Sequence, residues 1–144
     1  MSDSSLMKVA NALTAQNSFT VYNHMELTLL EADHAVYRLK IRPESHNPYG
    51  MVHGAALYAM ADNAAGFAAH TDGRDYVTID SSIHFISNIA EGVVLADARV
   101  LHRGHTTCLV DVQITSDTGK LLAVCSLTFF CIDRSRLQEK PEQH

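Results

Sequence analysis

Apolar residues recur along the chain with two different periods, and the change between them separates helices from strands. Residues 4–15 carry apolar side chains at helical spacing, which predicts a short amphipathic helix within residues 1–18. Residues 25–30 and 34–41 show strand-like patterns on either side of a polar turn, so they predict a pair of strands. The same kind of pattern predicts four further strands at residues 76–86, 92–102, 105–115 and 120–132.

The middle of the chain does not show the alternation that is typical of strands. Residues 42–54 are rich in proline and glycine and predict a loop. Residues 54–70 contain no proline, are dominated by alanine and are apolar on nearly every face, which predicts a buried helix. A long antiparallel sheet that curls around this helix is therefore expected, in the α+β class. The far side of the helix and the sheet edges would still need cover, and a second subunit would supply it.

Composition limits the classes of function. A chain of 144 residues suits one domain over residues 1–144, with a polar and flexible tail expected at residues 134–144. The net charge of −5 argues against a nucleic-acid partner, which would need a basic surface. No apolar stretch reaches the ~18 residues of a membrane span, and the N-terminus does not resemble a signal peptide. Three cysteines without paired spacing indicate reduced thiols, so a cytoplasmic protein is expected.

Two residues of the predicted helix suggest chemistry. Asp62 lies among alanines, where a carboxylate is rare unless it is paired or functional. In a partly apolar cleft it could act as a nucleophile or a general base, although a capping or subunit-contact role is the simpler interpretation. Gly54 begins the helix, where free N–H groups could bind the oxygen of a polarised carbonyl. It could equally do no more than permit the turn from loop to helix.

The loop before the helix adds two more candidates. Asn47 could orient water or hold a carbonyl group, or it could be an ordinary turn residue before proline. His53 could be a general acid, but a supporting contact to the loop backbone is the favoured role. Metal binding is not expected, because the spacing of His46, His53 and His70 matches no usual ligand pattern.

The spacing of Gly54 and Asp62 has a consequence for assembly. Eight residues of helix separate them by about 12 Å along the axis, so one carbonyl group cannot contact both in the same chain. If both act on one substrate, they must come from different subunits. A two-fold dimer with antiparallel helices would bring Gly54 of one chain to Asp62 of the other, twice.

The segment resembles a known family. Asn47, Gly50, His53-Gly54 and Ala61-Asp62 follow the motif of the hotdog-fold thioesterases of the PaaI-like group, which are related to the 4-hydroxybenzoyl-CoA thioesterases. The resemblance covers roughly residues 20–132. It implies a hotdog fold and an acyl-CoA hydrolase that uses no metal or redox cofactor, with coenzyme A present only as part of the substrate.

The resemblance also implies roles for residues. Asp62 would attack the thioester or activate water, the Gly54 N–H would bind the thioester oxygen, and Asn47 would orient water or substrate. Thr78 would position the nucleophilic group. CoA would lie along the subunit interface, where the candidate contacts are Arg103, Gly104, His105 and, as a further candidate, Arg134.

This sequence departs from the family pattern at one position and from regular strand geometry at another. Ala55 replaces the second glycine that usually follows the histidine, which would tighten the approach to the oxyanion. Regular alternation places Val77, Ile79, Ile83 and Phe85 on one face of their strand and Thr78 on the other. A bulge or strong twist is therefore expected if Thr78 is to reach the site.

Other functions and assemblies remain open from the sequence. A hotdog hydratase or dehydratase would use a histidine with an acid, which His53 allows, and a non-catalytic acyl-CoA-binding module would lack turnover. Tyr58 could line an apolar acyl pocket or belong to the core. The sequence decides neither the acyl group nor whether dimers pair again into a dimer of dimers.

Overall fold

Six antiparallel strands and one long helix make up most of the chain, as seen in a computed structural model that describes residues 3–132. The predicted tail at residues 134–144, and with it Arg134, lies outside the described residues. The helices are α1 (Asp3–Gln16), α2 (Ser18–Tyr22) and α3 (Gly54–His70), and a short 3-10 turn spans Pro43–Ser45. The strands are β1 (Met25–Glu31), β2 (His34–Lys40), β3 (Asp75–Phe85), β4 (Val93–Arg103), β5 (Thr107–Ser116) and β6 (Leu121–Ile132).

The strands form a single sheet in the order β1-β2-β4-β5-β6-β3, with every neighbouring pair antiparallel. Helix α3 contacts all six strands and lies across one face of the sheet. The predicted α+β architecture, with a sheet around a buried helix, is confirmed. The predicted strand boundaries also hold to within about two residues, because each strand is bounded by turn residues such as Gly119, whose φ is +88°.

Small side chains let α3 lie close to the sheet. Its buried residues are mostly alanines, with Leu57 and Met60 filling the wider gaps. The facing strands contribute a regularly alternating set of buried residues, such as Val94, Ala96 and Ala98 on β4. An alanine-rich helix of this kind gives up little side-chain entropy and brings its backbone near the strands. The close packing therefore fixes the position of the remaining α3 side chains relative to the strands.

Strand β3 contains the predicted irregularity. Thr78 pairs with Phe129 and Asp80 pairs with Thr128, so Ile79 is an extra residue that has no partner on β6. The bulge reverses the alternation, and Thr78 shares the helix-facing side of the sheet with Ser81, Ile83 and Phe85. The prediction that Val77 and Ile79 lie on the same face as Ile83 and Phe85 was therefore wrong, since it assumed regular pleating through the whole strand.

The N-terminal helices α1 and α2 pack against β1, at the edge of the sheet opposite β3. Leu6 and Ala10 of α1 are buried, as the helical spacing predicts. Helix α2 was not predicted, because five residues are too few to show a period. Asn17 caps α2 by accepting a hydrogen bond from the Thr20 N–H at 3.3 Å, and its amide donates to Asn63 Oδ1 of α3 at 3.1 Å. This amide contact fastens the N-terminal segment to the central helix.

None of the helices within residues 3–132 has the length and apolar character needed to cross a membrane. The expected cytoplasmic location remains a prediction.

Strand β3 leaves apolar surface uncovered. It forms one end of the sheet, and four apolar residues on or next to it are between 43% and 57% exposed, namely Val77, Ile79, Phe85 and Ile86. An exposed edge of eleven residues with apolar side chains would readily pair with another strand. The fold therefore leaves an exposed apolar surface beside the helix that carries Asp62.

Candidate active site

The Asp62 carboxylate lies on the side of α3 that faces β3. The Thr78 hydroxyl donates a hydrogen bond of 2.7 Å to Asp62 Oδ1. The bulge at Ile79 makes this contact possible, because it places Thr78 on the helix-facing side of its strand. A carboxylate held by a hydroxyl donor keeps a fixed orientation while its second oxygen stays available to a substrate.

The carboxylate opens into a cleft of about 530 Å³ between α3 and the start of β3. This volume is within the range of small-molecule sites. Asn63, Gly66 and Phe67 of α3 form one wall, and Tyr76 and Val77 of β3 form part of the other. Asp62 thus lines an open cleft whose walls carry both polar and apolar side chains, where a carboxylate can meet a ligand.

The first turn of α3 leaves one backbone donor free. The Ala55 N–H donates to His53 Nδ1 at 3.0 Å, and the N–H groups of Ala56 and Leu57 donate to the His53 carbonyl oxygen. Over the residues that the structure describes, the Gly54 N–H has no hydrogen-bond acceptor. The helix start therefore offers this one donor, together with the positive end of the helix dipole, to a ligand oxygen.

His53 is the N-cap of α3. Its Nδ1 accepts the Ala55 N–H, so the proton of the neutral ring lies on Nε2. The observed partner of the His53 ring is a backbone N–H, whereas a backbone carbonyl was expected. Gly54 itself lies against Phe85, and a Cβ at this position would come within 3.2 Å of the ring atom Cζ. The structure thus gives Gly54 a packing role in addition to its free N–H.

Asn47 organises the loop that precedes the helix. Its Oδ1 accepts the N–H groups of Tyr49 at 2.9 Å and Met51 at 3.1 Å, and its own N–H donates to the Met51 carbonyl. Asn88 holds the same loop from the other side by donating to the Val52 carbonyl at 3.1 Å. The observed contacts of the Asn47 side chain are therefore within the loop.

Tyr58 lies one helical turn before Asp62 and contacts β3. Its hydroxyl forms a hydrogen bond with Ser81 Oγ, and the side chain is more than a third exposed. Ser81 was missed by the sequence analysis, because a serine within a strand is ordinary and no local pattern shows that Tyr58 of α3 lies opposite it. Thr78 and Ser81 together fix the distance between β3 and the middle of α3.

Arg103 joins three parts of the fold at the far end of α3. Its guanidinium donates to the carbonyl oxygens of Ala68 and Ala69, and forms ion pairs with Asp33 at 2.7 Å and Asp72 at 2.9 Å. Cations near the end of a helix also interact favourably with its dipole. These contacts were not predicted, since nothing in the sequence relates residues this far apart.

The β4–β5 turn beside Arg103 is held by a second arginine. Arg74 donates to the carbonyl oxygens of Gly104 at 3.2 Å and His105 at 2.7 Å, while its Nε pairs with Asp72 at 2.8 Å. Gly104 approaches Thr107 closely, and a Cβ there would lie 3.1 Å from the Thr107 carbonyl oxygen. The His105 side chain is exposed at the tip of this turn.

Ionisation in this cluster follows from its contacts. Burial favours the neutral form of Asp72, but hydrogen bonds from Tyr76 and Arg74 and the Arg103 charge outweigh it and lower the Asp72 pKa to about 2. Burial and the hydrogen bond to Asp72 raise the pKa of Tyr76 to about 12. At neutral pH the cluster is therefore a fixed arrangement of ionised Asp72 and a neutral phenol.

Two of the predicted site residues lie far apart within the chain. Gly54 and Asp62 occupy the start and the middle of α3, which corresponds to about 12 Å along the helix axis. Thr78 and Asp62 are in contact, whereas Asn47, His53 and Gly54 lie together at the start of the helix. Across residues 3–132, no three potential ligands among His, Cys, Asp and Glu lie close enough to hold a metal ion.

Comparison with known proteins identifies the family of this chain. Residues 49–123 match the sequence model of the thioesterase superfamily. Acyl-coenzyme A thioesterase 13 of Pongo abelii is 30% identical over 125 residues, which cover 83% of this chain and 89% of that protein.

Solved structures agree with the sequence comparison. The E. coli PaaI protein, from the phenylacetic acid degradation operon, has a TM-score of 0.86 at 21% identity, with 91% of this chain and 96% of that chain covered, and shows the fold. A hypothetical thioesterase from Streptococcus pneumoniae TIGR4, solved with coenzyme A, has a TM-score of 0.72 at 30% identity, with 75% of this chain and 85% of that chain covered. Together with the sheet and helix described above, these matches show that the chain belongs to the thioesterase superfamily and is a thioesterase with the hotdog fold.

Proposed function

We propose that this protein hydrolyses an acyl-CoA thioester to a free acid and CoA, with Asp62 as nucleophile or general base. The observation that carries the proposal is the Asp62 carboxylate itself, which is oriented by Thr78 at 2.7 Å and opens into a cleft of ligand size. The relatives add support, since one is named an acyl-CoA thioesterase and another was solved with coenzyme A.

The Gly54 N–H is the second part of the proposed site. It is the free donor of the first turn of α3, and it would bind the thioester oxygen as negative charge develops there. As a nucleophile, Asp62 would attack the carbonyl carbon and displace the CoA thiolate, and water would then hydrolyse the resulting mixed anhydride to the free acid and restore Asp62. As a general base, Asp62 would take a proton from the attacking water, and the CoA thiolate would leave as the carbon–sulfur bond breaks. The reaction needs no cofactor beyond the CoA of the substrate.

The proposed site is shared between two subunits. Asp62 and Gly54 of one chain lie too far apart for one carbonyl group, so the Gly54 N–H must come from a second copy. The exposed apolar edge at β3 supports this dimer, because pairing there would cover Ile79, Phe85 and Ile86 next to α3. A dimer of dimers remains a further proposal for the outer face of the sheet.

The remaining predicted residues have supporting parts in the proposal. Asn47 would shape the loop at the oxyanion donor, and Tyr58 would contact substrate or partner at the subunit boundary. His105 and the Gly104 backbone form an exposed turn that would contact CoA. Arg103 would support this turn and not bind CoA, because its guanidinium is already paired with Asp33 and Asp72.

Replacing Asp62 tests the chemistry directly. Asp62→Asn preserves size and hydrogen bonding to Thr78 but removes the negative charge, so kcat should fall at least about a hundredfold while acyl-CoA still binds. Thiol release from saturated acyl-CoA measures turnover, and titration calorimetry measures binding. Asp80→Asn, on the same strand as Thr78 but facing away from α3, is the matched control and should retain wild-type turnover.

Parallel assays with a 2-enoyl-CoA separate the alternatives. Thiol release identifies a hydrolase, hydration without thiol release identifies a hydratase, and binding without either identifies a binding module. Near-normal turnover by Asp62→Asn would contradict the proposed mechanism.

A further inference from the structure

The cleft beside Asp62 continues along α3 beyond the carboxylate. Asp62, Gly66 and His70 all line it, and their four-residue spacing places them on one face of the helix. His70 follows Asp62 by eight residues, which corresponds to about 12 Å along the helix axis. Because Asp62 itself lines the cleft, a carbonyl group on which this carboxylate acts has the cleft directly beside it.

Packing does not explain why residue 66 lacks a side chain. Glycine is among the least favourable residues in the interior of a helix. A Cβ at Gly66 would meet Phe129 Cε1 at 3.8 Å, which is an ordinary contact, whereas a Cβ at Gly54 would come within 3.2 Å of Phe85. Alanine would therefore fit at position 66. Glycine instead leaves the part of the cleft between Asp62 and His70 open.

The walls of the cleft indicate which half of a thioester enters it. Most of the other lining side chains are apolar, namely Leu13, Phe67, Val77 and Phe129. Asp62 and Asp75 are its acidic residues, and no lysine or arginine of residues 3–132 lines it. The carboxylates repel the phosphates of CoA, whereas the methylene groups of an acyl chain gain from burial against the apolar walls. The cleft therefore suits the acyl group.

His70 offers polar atoms at the far end of the cleft. Its Nδ1 lies 3.7 Å from Asp75 Oδ1, beyond hydrogen-bond distance, and the ring forms no hydrogen bond within residues 3–132. A neutral imidazole has one N–H donor and one acceptor nitrogen. A hydroxyl group both donates and accepts, so it can pair with either ring nitrogen. The neighbouring Asp75 carboxylate disfavours an anionic end group at this place.

We propose that this cleft binds the acyl group, that Gly66 keeps it open, and that His70 forms a hydrogen bond with a hydroxyl group at its far end. The favoured substrates are CoA thioesters of medium-chain acids with a terminal hydroxyl. With C–C bonds of about 1.5 Å, a chain of roughly six to ten carbons covers the interval between the Asp62 and His70 side chains. This inference rests on the proposed function for the role of Asp62, and it adds the substrate class.

Substrates that differ by one oxygen atom test the role of His70. Hexanoyl-, octanoyl- and decanoyl-CoA are each compared with the acyl-CoA that carries a hydroxyl on the last carbon. In at least one pair, kcat/KM should favour the hydroxylated member by about tenfold, as a hydrogen bond in a shaped site allows. His70→Phe keeps a ring without its nitrogens and should remove this preference. His84→Phe, at an exposed and outward-facing position of β3, is the matched control and should keep it.

Two substitutions at Gly66 test the cleft itself. Gly66→Ala should raise the melting temperature, because alanine suits a helix better and its Cβ fits, and a lower melting temperature would contradict the argument from the open cleft. Gly66→Leu fills the cleft and should lower kcat/KM for octanoyl-CoA about tenfold more than for acetyl-CoA, whose acyl group is too short to extend along it. Equal losses for both substrates would assign the cleft to the CoA part and overturn the inference.

A binding measurement separates this inference from the proposed function. Titration of the Asp62→Asn protein with each pair reports the end-group preference without turnover. Hydrolysis of acyl-CoA with no preference for the hydroxyl in any pair would overturn the inference and leave the proposed function intact. A preference in binding that His70→Phe removes, without hydrolysis by the wild-type protein, would do the reverse. Tighter binding of 8-aminooctanoyl-CoA than of 8-hydroxyoctanoyl-CoA would also overturn the inference, since the carboxylates would then select the end group.

Discussion

At the scale of single residues, the candidate site depends on how one hydroxyl group holds one carboxylate. Asp62 forms none of the ion pairs found in residues 3–132, and its observed side-chain partner is Thr78. In the proposed mechanism Thr78 is therefore a positioning residue, which acts through the orientation of Asp62 and not by contact with the reacting atoms.

Thr78→Val keeps the shape of the side chain and removes the hydroxyl. We expect kcat to fall by about ten- to a hundredfold, the usual effect of losing a contact that orients a functional group, with a much smaller change in KM. Steady-state kinetics measure both constants. Thr78→Ser should recover most of kcat because it restores the donor, and equal activity of the Thr78→Val and Thr78→Ser variants would show that the hydroxyl has no positioning role.

Sequence reasoning at this scale worked where a residue type was unusual for its surroundings. An acid among alanines and a glycine at a helix start both indicated the places that the structure connects to a cleft and a free donor. It missed Ser81, because a serine within a strand is ordinary in sequence. The contact of Ser81 with Tyr58 of α3 is not revealed by any local pattern.

At the scale of elements, the bulge in β3 decides which side chains meet α3. The chain can be divided into strands from its alternation, but alternation alone cannot locate an extra residue within a strand. The prediction correctly stated that Thr78 needs a bulge to reach the site, and the structure places that bulge at Ile79. It was wrong about Val77 and Ile79 for the same reason, since both precede the point where regular alternation resumes.

The cluster around Asp72 joins the end of α3, the start of β3 and the β4–β5 turn, and it predicts a pH effect on stability. The pKa of Asp72 is lowered from 3.8 to about 2 in the folded chain. The stabilisation from its ionised form is therefore fully present above pH 4 and is lost as the pH falls from about 4 to about 2. Denaturant unfolding across this range should show wild type losing its advantage over Asp72→Asn.

The Arg103→Met background is the control for this effect. Without the Arg103 charge, Asp72 loses one of its stabilising partners, so Asp72→Asn should lower the free energy of unfolding by a smaller amount at every pH above 4. An effect of Asp72→Asn in the wild-type background that does not change between pH 4 and pH 2 would contradict the assigned contacts.

At the scale of the whole molecule, shared sites can be tested by mixing two inactive chains. Gly54→Pro removes the proposed donor and suits the first position of a helix, because Pro is favoured there and His53 already has the extended backbone that precedes it (φ −68°, ψ 134°). Combined with Asp62→Asn chains after unfolding and refolding together, it should give about a quarter of wild-type activity, since half of the dimers have one intact site.

Gly54→Ala provides the control for this experiment. It adds the same Cβ near Phe85 but keeps the N–H, so it should retain far more activity than Gly54→Pro. Each protein's melting temperature shows whether the fold is preserved. Mixed chains that remain as inactive as either parent would mean that the site is not divided between subunits.

In the proposed dimer, the interval between Gly54 and Asp62 on α3 sets the distance between the carboxylate and the partner's donor. Removing one residue between them would rotate the Asp62 side chain by about 100° and move it away from Thr78. Removing a whole turn would restore the direction but shift the carboxylate by about 5 Å relative to the partner's donor. Substitutions within residues 55–61 can therefore be tolerated according to their packing, whereas changes in the number of residues there cannot.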